Sequence, residues 1–141
     1  MQERSAGEAL AAAHALHAEN KIDSAIAAAR QALSTEGTFL PALTYLGTTL
    51  ITRKLQFEEG LALLERAAAL AGDDPGVQYS LGWCYEFVAY RLEKQPAARA
   101  RDPDELYGLA RQRLQRCIDL DPERGLKEDA EDLLASIDAR F

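Results

Sequence analysis

The chain has 141 residues, 48% of them hydrophobic, which is enough for one domain to bury a core without disulfides or metals. Its 23 acidic and 16 basic residues give a net charge of −7 and a pI near 4.8, which argues against general affinity for nucleic acid or anionic membranes. No stretch stays apolar over the roughly 18 residues that a membrane span needs, so membrane insertion is not expected.

Helix formers fill most of the chain, and breakers recur at intervals. Asn20-Lys21, Glu36-Gly37-Thr38, Gly72 to Gly76 and Asp121-Pro122 punctuate the pattern. Between them the spacing predicts helices at about 6–19, 23–35, 40–54, 57–71, 76–95, 103–120 and 124–140. Short turns between such helices make neighbours antiparallel.

The helices repeat. Leu43-x-x-Leu46-Gly47-x-x-Leu50 returns 35 residues later as Gln78-x-x-Leu81-Gly82-x-x-Tyr85. A weaker copy, Ala9-x-x-Ala12-Ala13-x-x-Leu16, lies 34 residues before Gly47. The second helices share a small-then-apolar pattern: Ala25-x-x-x-Ala29, Gly60-x-x-x-Leu64 and Ala110-x-x-x-Leu114. Small residues at Ala13, Gly47 and Gly82 would let paired helices approach closely.

On these residues the chain resembles the tetratricopeptide repeat family, whose unit is a helix-turn-helix with W-x2-L-G-x2-Y, then A-x3-F, then Pro. The third unit matches best, through Leu81, Gly82, Tyr85, Ala110, Leu114 and Pro122, with Gln78 where the family has Trp. The resemblance covers about residues 6–122. It implies one all-α domain over 1–141, a right-handed superhelix with repeats at about 6–39, 40–74 and 75–122 and a closing helix at 124–140.

The third unit departs from the pattern. Tyr85 to Ala110 spans 25 residues where Leu16 to Ala25 spans 9, an insertion of about 16 residues centred near 89–105. Asp102 suits an N-cap, Pro103 the first helical position and Glu105 a capping box, so the expectation is either two lengthened helices forming a protruding hairpin or an Ala/Arg-rich loop with no role. Residues 91–116 carry a net +3 while each flank carries −5, so a basic projection, or a solvated face of local ion pairs, is expected here. The closing helix aligns Leu126, Ala130, Leu133, Leu134, Ile137 and Phe141 along one stripe, suited to covering the end of the third unit.

The helix over 76–95 has two apolar faces. At 3.6 residues per turn, Gln78, Leu81, Gly82 and Tyr85 form one, and Tyr79, Trp83, Phe87 and Tyr90 form a second, roughly 120° away. In the family, first helices line a concave groove. The resemblance therefore implies a protein-binding groove made by Tyr79, Trp83, Glu86, Phe87 and Tyr90, with Thr44, Thr48, Ile51, Thr52 and Leu55, and with Leu10, His14, His17 and Lys21. His14, Thr48 and Trp83 would share one level. They do not reproduce the Lys/Asn/Arg clamp by which one branch of the family holds chaperone C-termini. Such a groove suits a helix or an extended segment of another protein.

Catalysis finds little support. His14 and His17 lack a third ligand at compatible spacing, there is no Gly-rich phosphate loop, and no nucleophile sits beside a base. Cys84 and Cys117 have no CxxC spacing and read as buried, reduced thiols in a chain whose start shows no secretory signal. The expectation is a cytoplasmic adaptor, monomeric or weakly dimeric, without cofactor or metal. The alternatives are a small acidic chaperone, similar to those of bacterial secretion systems, or a structural subunit of a larger complex. Twelve Arg against four Lys, with abundant Ala, suit a bacterial genome of high GC content.

Overall fold

The computed structural model describes residues 4–95 and 101–141. Among these residues there are seven α-helices and no strand. They are α1 (Ala6–Ala18), α2 (Ile22–Thr35), α3 (Leu40–Lys54), α4 (Phe57–Leu70), α5 (Pro75–Lys94), α6 (Pro103–Asp119) and α7 (Arg124–Asp138), each within one or two residues of its expected bounds. The chain divides into two compact units, Met1–Leu70 and Ala71–Phe141.

The first unit holds two helix hairpins, α1–α2 and α3–α4, with α2 also packed on α3. A capping box starts α1: the Glu8 amide donates to Ser5 Oγ at 3.1 Å, and the Ser5 amide donates to Glu8 Oε1 at 3.4 Å. Ala9, Ala13, Ala25 and Ala29 are fully buried, so α1 and α2 bury small side chains, with Leu10 and Ile26 buried beside them. The turns after α1 and α3 pass through left-handed residues, Asn20 at φ 61° and Leu55 at φ 56°. The Gln56 amide then donates to the Leu50 carbonyl at 3.0 Å, a bond that closes the end of α3.

The α3–α4 hairpin is tight because two glycines meet. A Cβ on Gly60 would lie 2.7 Å from the Gly47 carbonyl oxygen and 2.5 Å from Ile51 Cγ1; one on Gly47 would lie 2.9 Å from the Gly60 carbonyl oxygen and 2.8 Å from Leu64 Cγ. No side chain fits there without moving backbone.

The second unit repeats this contact in the same register. A Cβ on Gly82 would lie 2.9 Å from Leu114 Cγ and 3.3 Å from the Ala110 carbonyl oxygen. Asp74 caps α5 by accepting from the Gly76 and Val77 amides at 2.9 and 3.3 Å, with Pro75 at the first helical position. Gln78, which replaces an apolar residue of the repeat, is buried yet satisfied. Its Nε2 donates to the Gly72 carbonyl at 3.0 Å, and its Oε1 accepts from Arg113 at 3.3 Å. Helix α7 packs on both α6 and α5, and buries Ala130 and Ile137.

The insertion lengthens both helices of its hairpin, as expected. α5 runs 20 residues to Lys94, and α6 starts at Pro103 with Asp102 accepting from the Asp104 amide at 3.1 Å. Ala89, Leu92, Pro103 and Leu106 are buried, so the lengthened arms carry core of their own. Glu105, expected to close a capping box, lies 4.0 Å from Arg101 instead. Residues 96–100, the tip of the expected hairpin, lie outside the described residues.

Candidate functional site

On α5 the sequence produces an unequal helix. Cys84, Val77, Val88, Leu81, Leu92, Tyr85, Gln78, Ala89 and Gly82 are all buried and sweep an arc of roughly 160° at 100° per residue. The remaining surface carries, in angular order, Glu93, Glu86, Tyr79, Tyr90, Trp83, Lys94, Phe87 and Arg91. The second apolar face is therefore an aromatic strip between an acidic and a basic margin.

Trp83 and Phe87 stack along the helix, with ring centroids 5.5 Å apart and planes 19° from parallel. The Arg91 guanidinium continues the ladder, 5.3 Å over the Phe87 ring. Both rings are partly exposed, and Tyr90 is 45% exposed with Lys94 Nζ 5.2 Å over its ring. Tyr79 sits closer to α7. Burial, then the nearby Asp129 carboxylate, pushes its phenol above the ordinary range.

The acidic margin is wired to the end of the chain. Glu93 Oε2 accepts from the Tyr107 hydroxyl at 3.0 Å and from the Arg140 guanidinium. Arg140 lies over the Tyr107 ring at 4.7 Å and the Tyr90 ring at 5.9 Å, and the Phe141 ring meets Tyr107 edge-on at 5.8 Å. Burial and the hydrogen bond to Glu93 hold the Tyr107 phenol well above its ordinary range. Glu86 is half-buried: desolvation raises its carboxyl, Arg140 pulls it back, and Glu93 raises it again. No sequence pattern points to this cluster, because Glu93 and Arg140 are 47 residues apart and Arg140 follows α7.

In the first unit the expected residues fall into four groups. His14 and His17 flank Tyr45, with centroids 5.0 and 5.6 Å from its ring and His17 Nδ1 2.9 Å from its hydroxyl. Tyr45 was missed, although it directly follows Thr44 and lies one turn before Thr48. Two of the threonines turn onto their own helix: Thr44 Oγ1 donates to the Leu40 and Pro41 carbonyls at 3.2 and 3.0 Å, and Thr52 Oγ1 to the Thr48 carbonyl at 2.9 Å. Leu10 and Ile51, expected to line a groove, are buried and offer no surface to a partner. A wheel angle gives their direction but not the width of the buried arc. Leu55 is exposed, and exposed Lys21 pairs with Glu19 at 3.7 Å.

The basic residues of 91–116 are mostly engaged inside their unit. Arg111 meets Asp138 at 2.8 Å and Arg116 meets Asp73 at 2.9 Å, while Arg113, Arg91 and Lys94 hold the partners given above. With the Arg101–Glu105 contact, three of these residues form ion pairs, each of modest worth, and Arg91, Lys94 and Arg113 lie against aromatic rings or the Gln78 amide. An open cleft of about 700 Å³ lies between α6 and α7, lined by Gly108, Arg111, Gln112, Gln115, Arg116, Asp119, Leu134 and Asp138, away from the aromatic strip.

Cys84 and Cys117 are buried and unbridged, and burial raises the Cys117 thiol, which keeps it protonated. Among the described residues no three His, Cys, Asp or Glu side chains are grouped as metal ligands, and no helix is long and apolar enough to cross a membrane. No family model matches the chain, and no curated protein sequence matches it.

Proposed function

We propose that this chain is a protein-binding module and not an enzyme, built of tetratricopeptide-like helix hairpins in a right-handed superhelix. Its partner is a helix or extended segment of another protein, which lays apolar side chains on the α5 strip of Trp83, Phe87 and Tyr90. The observation that carries this reading is the stacked Trp83–Phe87 pair capped by Arg91, which lies outside the buried arc of α5 and remains partly exposed. Aromatic residues on rigid helices desolvate large areas at small entropic cost, which is why they dominate binding hot spots. The repeated close contacts at Gly47–Gly60 and Gly82–Leu114 support the hairpin-repeat reading.

A tagged pull-down with cross-linking mass spectrometry tests it. A partner cross-linked beside α5 should lose about 2 kcal/mol or more of binding free energy on Trp83→Ala, with helicity unchanged. Cross-links confined to other helices, with binding indifferent to Trp83→Ala, would refute the assignment.

A further inference from the structure

The acidic margin of the strip ends in a site that already holds a ligand group. Three features of α5 and α6 converge on one guanidinium: the Glu93 carboxylate, the Tyr107 ring at 4.7 Å and the Tyr90 ring at 5.9 Å. A carboxylate beside two aromatic rings supplies both interactions a guanidinium seeks, a charge-assisted hydrogen bond and cation–π contact. The Tyr107 hydroxyl orients Glu93 from within the helices, whatever occupies the site.

The host and its occupant are held very differently. Tyr90 and Glu93 sit on a regular helix, and Tyr107 is fully buried on another. Arg140 instead follows α7, where the backbone makes only short bonds, Arg140 N–H to Ile137 at 3.0 Å and Phe141 N–H to Asp138 at 3.2 Å. Phe141 beside it is 68% exposed despite its contact with Tyr107. The cage is built on two helices, and its occupant is a side chain just past the end of a third.

We infer that Glu93, Tyr90 and Tyr107 form an arginine-binding subsite, which Arg140 fills in the isolated chain and an arginine of the protein partner enters in its place. The subsite adjoins the aromatic strip through Tyr90, so the partner segment would pair an arginine with an apolar or aromatic residue. Glu86 and Glu93 on this margin, and 15 acidic against 10 basic residues over 71–141, favour a basic segment. This deepens the binding reading above and rests on it for the partner. Tethering gives Arg140 an effective concentration on the order of millimolar, so a weak ligand competes only when the tether is cut.

The test uses the full chain, its Arg140→Ala variant and the amidated peptide acetyl-Ala-Arg-Phe, followed by NMR of the Tyr90 and Tyr107 rings. The peptide should bind Arg140→Ala about tenfold or more tightly than the unmodified chain, with shifts at both rings. Acetyl-Ala-Ala-Phe should not bind, and adding Glu93→Gln to Arg140→Ala should abolish binding. Equal affinity for both chains, binding to neither, or shifts elsewhere would overturn the inference. So would an Arg140→Ala chain that loses its helices, since Arg140 would then be a structural pin. None of these outcomes involves Trp83, so the subsite and the strip stand or fall separately.

Discussion

The α3–α4 and α5–α6 hairpins share one internal contact and differ in almost everything outside it. Gly47 meets Gly60 and Leu64 as Gly82 meets Ala110 and Leu114. With the two helices aligned 35 residues apart, Thr44, Thr48 and Thr52 of α3 stand where α5 has Tyr79, Trp83 and Phe87. The threonine hydroxyls of Thr44 and Thr52 fold back onto their own helix, whereas the aromatics stack outward. Leu55 ends α3 in a left-handed turn, but its counterpart Tyr90 is helical and α5 runs on to Lys94. Ile51 is fully buried, while its counterpart Glu86 is a half-buried carboxylate beside Arg140. The helix contact is kept and the exterior is rewritten, which separates the packed contact from the solvent-facing side chains.

The largest expected effect concerns the lengthened arm. If the extension is packed core, Leu92→Ala should cost about 2–5 kcal/mol in chemical denaturation. A loss below about 0.5 kcal/mol would return the arm to a free protrusion.

The shared contact is sharper in the first hairpin than in the second. Gly60→Ala drives a Cβ to 2.7 Å from backbone oxygen, whereas Gly82→Ala meets chiefly the movable Leu114 side chain. Gly60→Ala should cost about 1–3 kcal/mol, beyond what the better helix propensity of Ala returns, and Gly82→Ala less. Equal melting points for the two variants would erase the distinction.

The smallest effect separates Ile51 from Glu86. The folded state raises the Glu86 carboxyl, so it binds the proton more tightly than the unfolded chain does. Its stabilising contribution is therefore full below the ordinary value of 4.5 and is lost as pH rises through the folded value. Glu86→Gln should remove that part of the pH dependence and stabilise the chain at neutral pH. Denaturation curves from pH 4 to 8 that change identically in both proteins would contradict the assignment.

What was legible in the sequence was local or periodic. Helix bounds follow from the recurring breakers and the cap at Asp102, and the close contacts follow from small residues at constant spacing. Gln78 looked like a simple departure from the repeat, yet its amide is held by Gly72 and Arg113, the latter 35 residues away. The Glu93–Tyr107–Arg140 cluster was illegible because it joins three helical regions with no shared period. Ile51 was misplaced because the buried arc of α3 is wider than its hydrophobic pattern implies.

Trp83 is the only tryptophan, so its fluorescence reports directly on the strip. In the isolated chain acrylamide should quench this emission readily, and the emission should shift to the blue, with protection, when a partner segment binds. Emission already blue-shifted and protected in the free monomer would mean that the chain covers its own strip, and would contradict the claim that α5 carries an open recognition surface.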